Sequence, residues 1–147
     1  MFVRILLVAA LAIAGCAIPV TLYTETENEI RLTYGGGGLL ESKLLFYEPL
    51  YNTEKRVVID GMMVSADAFY AFGIPGVCYT KRAVWSPHAV SAGGLYRLAG
   101  ETDNIMLYLP KPMAEHFRAS SYYWNFLTSR DIGYKELLTI WPDGACD

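Results

Sequence analysis

The chain has little charge and few cysteines and histidines. Only 18% of its 147 residues are charged and 53% are hydrophobic, which is typical of one compact domain with a buried core and excludes a disordered chain. Lys and Arg form no basic stripe, which argues against a nucleic acid partner because phosphate contacts need clustered cations. His88 and His116 stand far apart and no Cys-x-x-Cys occurs, so we expect no metal site and no cofactor.

The first residues predict an export signal. Arg4 precedes about ten uncharged apolar residues, which are too few to cross a hydrocarbon core of roughly 30 Å. Residues 13–16 resemble a lipobox, so we expect residues 1–15 to be a lipoprotein signal peptide. Cys16 would then be acylated and would anchor the chain to a membrane, on the periplasmic side of the cell envelope. The alternative is ordinary cleavage after Ala17, which would remove Cys16 with the signal.

Two further cysteines remain after either cleavage. Cys78 and Cys146 would lie in an oxidising compartment, where a pair of cysteines tends to form a disulfide. Such a bond would tie the C-terminus to the core and would stabilise the fold by roughly 2–4 kcal/mol.

Apolar patterning predicts a single α/β domain over residues 16–147. Alternating or β-branched runs predict strands at residues 30–34, 56–60, 77–80 and 83–85. Helical spacing of apolar residues predicts helices at residues 39–50, 65–72, 112–126 and 134–140. This alternation of strands and helices is typical of an α/β fold whose sheet is covered by helices.

Three features that could carry acyl-transfer chemistry coincide in this pattern. Four glycines follow the first strand, Ser65 lies at a strand-to-helix turn, and His88 follows a later strand. A neutral imidazole can take a serine proton, and glycine N–H groups can approach an oxyanion closely. A carboxylate that orients the imidazole could come from Asp103, Asp131, Glu101 or Glu136. Alternatively, Ser65 is only a helix N-cap and the glycines only a turn.

At these residues the chain resembles the ClpP family of serine peptidases, within the ClpP/crotonase-like superfamily. Gly37-Gly38 matches its glycine loop, residues 61–69 match its Gly-x-x-x-Ser-x-x-Ala-Phe turn, and Arg130-Asp131 matches an Arg-Asp pair before the last helix. The likeness covers about residues 30–136. It implies a spiral of ββα units with helices covering a mostly parallel sheet. It also implies a role for each site residue: Ser65 as nucleophile, His88 as base, Asp131 as the orienting carboxylate, and Gly37, Gly38 and Ala66 as oxyanion donors.

The chain is also similar to a group of small exported bacterial ClpP-like proteins with an Asp-Gly-Pro-Cys-x-Ser-Ala-Cys turn. Asp60-Gly61 and Ser65-Ala66 match that turn, whereas Met63 and Asp67 replace its two cysteines. A carboxylate at Asp67 is expected to raise the pKa of the histidine or to oppose the negative charge of a tetrahedral intermediate.

These resemblances imply an exported serine hydrolase, most simply a peptidase. ClpP depends on an ATP-driven unfoldase that an exported protein does not meet, so we expect short or unfolded peptides as substrates. The alternative is a catalytically inactive envelope lipoprotein that uses the fold as a binding or assembly module. A crotonase-like acyl-CoA enzyme is disfavoured by the export signal and by the absence of a basic patch. The family likeness also implies a homo-oligomer.

Overall fold

A β-sheet flanked by helices makes up the part of the chain that the structure, a computed structural model, describes. That part comprises residues 20–92 and 95–146. The expected signal peptide at residues 1–15 and the expected lipidation at Cys16 lie outside it. The described residues alternate between strands and five α-helices, so the α/β class expected from the sequence is confirmed.

The main sheet has six strands among the described residues. They are β1 Thr21–Glu25, β2 Glu29–Gly35, β3 Arg56–Val64, β4 Cys78–Tyr79, β5 Val84–Ser86 and β8 Ile132–Gly133. Their order in the sheet is β1-β2-β3-β5-β8, and β4 also pairs with β3. A separate two-stranded sheet pairs β6 Ser91–Ala92 with β7 Tyr96–Arg97.

The sheet is mixed, whereas the family likeness implied a mostly parallel one. Strands β2, β3, β4 and β5 run parallel, but β1 pairs antiparallel with β2 and β8 pairs antiparallel with β5. The carboxyl ends of β2, β3 and β5 therefore meet at one edge of the sheet. The start of β8 reaches the same edge, because that strand runs in the opposite direction.

The five helices lie between or after these strands. They are α1 Leu40–Tyr51, α2 Ala66–Tyr70, α3 Ala99–Met106, α4 Lys111–Ala119 and α5 Tyr134–Ile140. Every residue of α2 is buried, and this helix contacts α1 on one side and α3 on another. The short helix that follows Ser65 is therefore a core element rather than a surface turn.

The strand β3 runs four residues beyond the expected end at Asp60. Gly61 permits this extension because it has no Cβ atom. A Cβ atom there would lie 1.8 Å from the carbonyl oxygen of Thr33 on β2, so any other residue would push the two strands apart. Beyond it, Met63 pairs with Gly35 of β2 and Val64 pairs with Ser86 of β5. The extension carries Ser65 to the edge where the neighbouring strands also end.

A disulfide and two hydrogen bonds attach the C-terminal part of the chain to the sheet. Cys78 on β4 is bonded to Cys146, with 4.9 Å between their Cα atoms. The Tyr79 hydroxyl donates to the Trp141 carbonyl at 2.6 Å, and the Cys146 N–H donates to the Tyr79 carbonyl at 2.9 Å. Trp141 and Cys146 are thus fixed to β4, the first by a hydrogen bond and the second by both a covalent and a hydrogen bond.

Candidate active site

Ser65 has a backbone conformation that ordinary residues avoid. It lies directly between β3 and α2 with φ 55° and ψ −124°, and it is the one non-glycine residue with a positive φ in the described ranges. Its N–H donates to the Ser86 carbonyl at 3.0 Å, which holds the turn against β5. Such strain costs about 1–3 kcal/mol and is concentrated at functional sites. The same sharp strand-to-helix turn presents the nucleophile in serine hydrolases of the α/β type.

Residues 36–38, which follow β2 and are called the glycine segment here, pass against Ser65 at Gly37. A Cβ atom on Gly37 would stand 2.6 Å from the Ser65 Cβ and 3.3 Å from its Oγ. Gly37 and Gly38 both have positive φ values, 79° and 126°. Only glycine allows the backbone to pass this close to the serine hydroxyl in these conformations. The structure therefore brings together two of the three features that the sequence singled out.

His88 reaches the same edge, two residues after β5. Its Nδ1 lies 2.8 Å from the Ala89 carbonyl oxygen, which can only accept a hydrogen bond. Nδ1 therefore carries the proton in the neutral ring, and Nε2 holds the lone pair that a general base needs. Across residues 20–92 and 95–146, no hydrogen bond joins His88 to Ser65.

Asp131 lies at this edge, immediately before β8, but it does not hold His88. Its Oδ1 accepts a hydrogen bond from the Ser86 hydroxyl at 2.8 Å, and its side chain is exposed. Trp85 pairs with Ile132 across the two strands, which fixes Asp131 beside Ser86. In this conformation the backbone carbonyl of Ala89, rather than a carboxylate, orients the imidazole.

Asp67 is completely buried beneath the glycine segment and is saturated with hydrogen bonds. Its Oδ1 accepts from the Tyr47 hydroxyl at 2.6 Å and from the Thr21 hydroxyl at 2.7 Å. Its Oδ2 accepts from the Gly37 N–H at 2.8 Å and forms an ion pair with Lys43 Nζ at 2.8 Å. These four donors occupy all the acceptor positions of a carboxylate. The charge of Asp67 is therefore balanced locally by Lys43 and does not face the reacting atoms unpaired.

Lys43 and Tyr47 contact Asp67 beside the proposed site, and the sequence did not predict either of them there. They stand four positions apart on α1, so they share one helix face, and both are buried. Burial, with the negative charge of Asp67, raises the pKa of Tyr47 well above its usual value. The available signal was a lysine on the buried face of a helix, which is rare unless the lysine has a partner.

A second buried carboxylate, Asp60, stabilises the middle of β3. It accepts hydrogen bonds from Thr80 and Arg82 and pairs with Arg31 Nη1 at 3.2 Å. The Arg82 guanidinium is the main cause that lowers the pKa of Asp60 to about 2. Since these partners come from β2 and from the loop before β5, the cluster ties three parts of the sheet together.

Two clefts in the described residues lie away from the serine. One has a volume of about 410 Å³ and includes Ser121, Tyr122 and Arg130, and the other has a volume of about 240 Å³ beside Tyr70 and Tyr108. Neither is lined by Ser65 or His88. Within the described part there is also no cluster of three potential metal-ligating side chains and no helix long and apolar enough to span a membrane.

Comparisons of the chain with protein-family models, with curated proteins and with solved structures find no match in any of the three.

Proposed function

We propose that this protein is a serine hydrolase in which Ser65 is the nucleophile. The observation that carries the proposal is the backbone of Ser65, held at positive φ between β3 and α2 with Gly37 packed on its hydroxyl. A helix N-cap has an extended backbone, so a capping role does not require this strain, and the Ser65 side chain makes no capping hydrogen bond. A nucleophile that must stand out from the turn does require it.

In the proposed mechanism, His88 Nε2 removes the proton of Ser65 as the hydroxyl attacks an acyl carbon. The protonated imidazole then passes that proton to the leaving group, and water releases the acyl group from the serine by the reverse sequence. His88 must move into hydrogen-bonding distance of Ser65 when the substrate binds, as catalytic bases in unliganded enzymes often do. The Ala66 N–H and the glycine segment supply the donors for the oxyanion.

The proposal extends to the arrangement of the fold, the substrate, the location and the assembly of the protein. We infer a ClpP/crotonase-like arrangement of the ββα units and peptides as the acyl substrates. We also infer export to the cell envelope with a lipid anchor at Cys16 and assembly into a homo-oligomer. We keep Asp131 as the proposed third catalytic residue because it lies at the same edge as Ser65 and His88, although its carboxylate accepts a hydrogen bond from Ser86.

A catalytically inactive binding module is the second candidate. The observation that favours it is that no hydrogen bond joins the Ser65 hydroxyl to His88 among the described residues. His88 Nδ1 instead donates to the Ala89 carbonyl. The two clefts also lie away from Ser65, and they would suit a ligand that is bound without being transformed.

A fluorophosphonate probe distinguishes the two candidates, because it reacts only with an activated serine. The purified protein would be compared with Ser65→Ala and His88→Ala, and with His116→Ala as a matched control at the other histidine, which has no role in the proposed mechanism. Labelling of the wild type and the control, lost in the other two variants, would support the hydrolase. A folded wild type that does not react would refute the hydrolase and favour the binding module.

A further inference from the structure

Of the N–H groups of Gly36, Gly37 and Gly38, only that of Gly38 lacks a hydrogen-bond partner among the described residues. The glycine whose backbone packs on Ser65 is Gly37. The Gly36 N–H donates to the Val20 carbonyl at 3.2 Å, and the Gly37 N–H donates to Asp67 Oδ2 at 2.8 Å. In the described part of the chain the Gly38 N–H has no hydrogen-bond partner, and Gly38 is exposed. The Gly37 N–H therefore cannot bind an oxyanion while its bond to Asp67 is intact.

What fixes this arrangement is a network that reaches across the core. Lys43 from α1 pairs with the same Oδ2 atom that accepts from Gly37, and it also donates to the Thr21 hydroxyl on β1 at 2.6 Å. The lysine side chain is 8% exposed and the aspartate side chain is fully buried. Such a pair is costly to bury unless the charges are closely paired and hydrogen-bonded. Here Asp67 accepts from four donors, and Lys43 Nζ has two partners, Asp67 and Thr21.

The packing beneath the segment is equally tight. A Cβ atom on Gly35 would lie 2.5 Å from the Asp67 Cβ, so the aspartate fits directly under the end of β2. Asp67 is two residues after Ser65, in the first turn of the helix α2 that Ser65 precedes, so one short stretch of chain carries both the proposed nucleophile and the acceptor for Gly37.

We infer that the buried Lys43–Asp67 pair is a positioning element that sets the oxyanion site, because it holds Gly37 against Ser65 and leaves the adjacent Gly38 N–H for the oxyanion. The inference rests on the proposed hydrolase function. Neither residue touches the reacting atoms. They act through the glycine segment, which makes them positioning residues rather than catalytic ones.

Two double variants separate positioning from stability. Lys43→Met with Asp67→Ala removes both charges and leaves the Gly37 N–H without an acceptor. Lys43→Met with Asp67→Asn also removes both charges, but the amide oxygen can accept from Gly37 while its NH₂ group faces the hydroxyls of Tyr47 and Thr21, which can rotate to accept. Both variants avoid a buried unpaired charge, so both are expected to fold.

The measurement is the second-order rate of fluorophosphonate labelling, with circular dichroism to establish folding. We expect the Ala variant to react about a hundredfold more slowly than wild type, the typical loss on removing an oxyanion donor, and the Asn variant to recover most of that rate. Amide hydrogen exchange of Gly37 gives a second readout that is independent of activity. It should be slow in wild type and in the Asn variant and fast in the Ala variant.

Two results would overturn the inference while leaving the hydrolase intact. One is equal labelling rates in wild type and the folded Ala variant. The other is a Gly37 amide that exchanges fast in wild type. A folded wild type that is not labelled at all would instead refute the proposed function, and the inference with it.

Discussion

Replacing Ser65 by glycine should stabilise the protein relative to replacing it by alanine. Alanine keeps the Cβ atom that is unfavourable at φ 55° and ψ −124°, whereas glycine adopts this conformation freely. The strain is about 1–3 kcal/mol, and the greater freedom of glycine in the unfolded chain offsets about 0.5–1 kcal/mol of it. We therefore expect Ser65→Gly to exceed Ser65→Ala by about 1 kcal/mol in the free energy of unfolding.

Urea unfolding followed by tryptophan fluorescence measures this difference, since Trp85 is fully buried. The midpoint should shift while the slope stays constant. Ala114→Gly in the middle of α4 is the matched control and should lower stability by about 0.5–1 kcal/mol, because that backbone is unstrained. If Ser65→Gly proved no more stable than Ser65→Ala, the turn would hold no strain and the main argument for a nucleophile would fail.

Three further predictions concern stability. Replacing both Cys78 and Cys146 by serine, which opens a loop with a sequence separation of 68, should cost about 4 kcal/mol in urea unfolding, and a loss below about 1 kcal/mol would contradict this. The pKa of Asp60 is lowered to about 2, so its ionised form should add roughly 1–2 kcal/mol to the free energy of unfolding after solvent screening of Arg82. This stabilisation should be full above about pH 4 and lost as the pH falls through 2, and Asp60→Asn should abolish that acid dependence. Gly61→Ala should cost about 4 kcal/mol or more, since its Cβ would overlap a β2 carbonyl, and an unchanged thermal midpoint would refute the close approach.

Elements with a strong apolar pattern were predictable from the sequence. The helix expected at residues 39–50 is α1 Leu40–Tyr51, and the one expected at residues 134–140 is α5 Tyr134–Ile140. The strand β3 was located by its β-branched run but was ended too early at Gly61, because a glycine that admits a neighbouring backbone looks the same in sequence as a glycine in a turn.

Elements without such a pattern were missed. Strand β1, Thr21–Glu25, lies at the sheet edge with four of its five residues exposed, so its polar letters resembled a loop. Helix α3 begins at Ala99 and contains Gly100, a residue that is unfavourable inside helices, so the stretch carries no helical signal. The helix expected at residues 112–126 ends at Ala119, because Ser120 is extended and a 3₁₀ turn follows.

The site was predictable only in outline. Parallel strands end at one edge, so the placement of Ser65, His88 and the glycine segment after strands that end at the same edge followed from the strand order. The partners of individual side chains did not follow. That Asp67 would be neutralised by Lys43, or that His88 would be held by its neighbour's carbonyl, depends on how α1 packs on α2 and on the rotamer of one ring.

The most direct test of the central claim is to trap the acyl intermediate on Ser65. The protein would be mixed with p-nitrophenyl acetate, quenched in acid within the first turnover, and digested for mass spectrometry. Our account predicts a burst of p-nitrophenol and one acetyl group on the peptide that contains Ser65, with neither seen in Ser65→Ala. Acetylation only at lysines, or none on a folded protein, would contradict the assignment of Ser65 as a nucleophile.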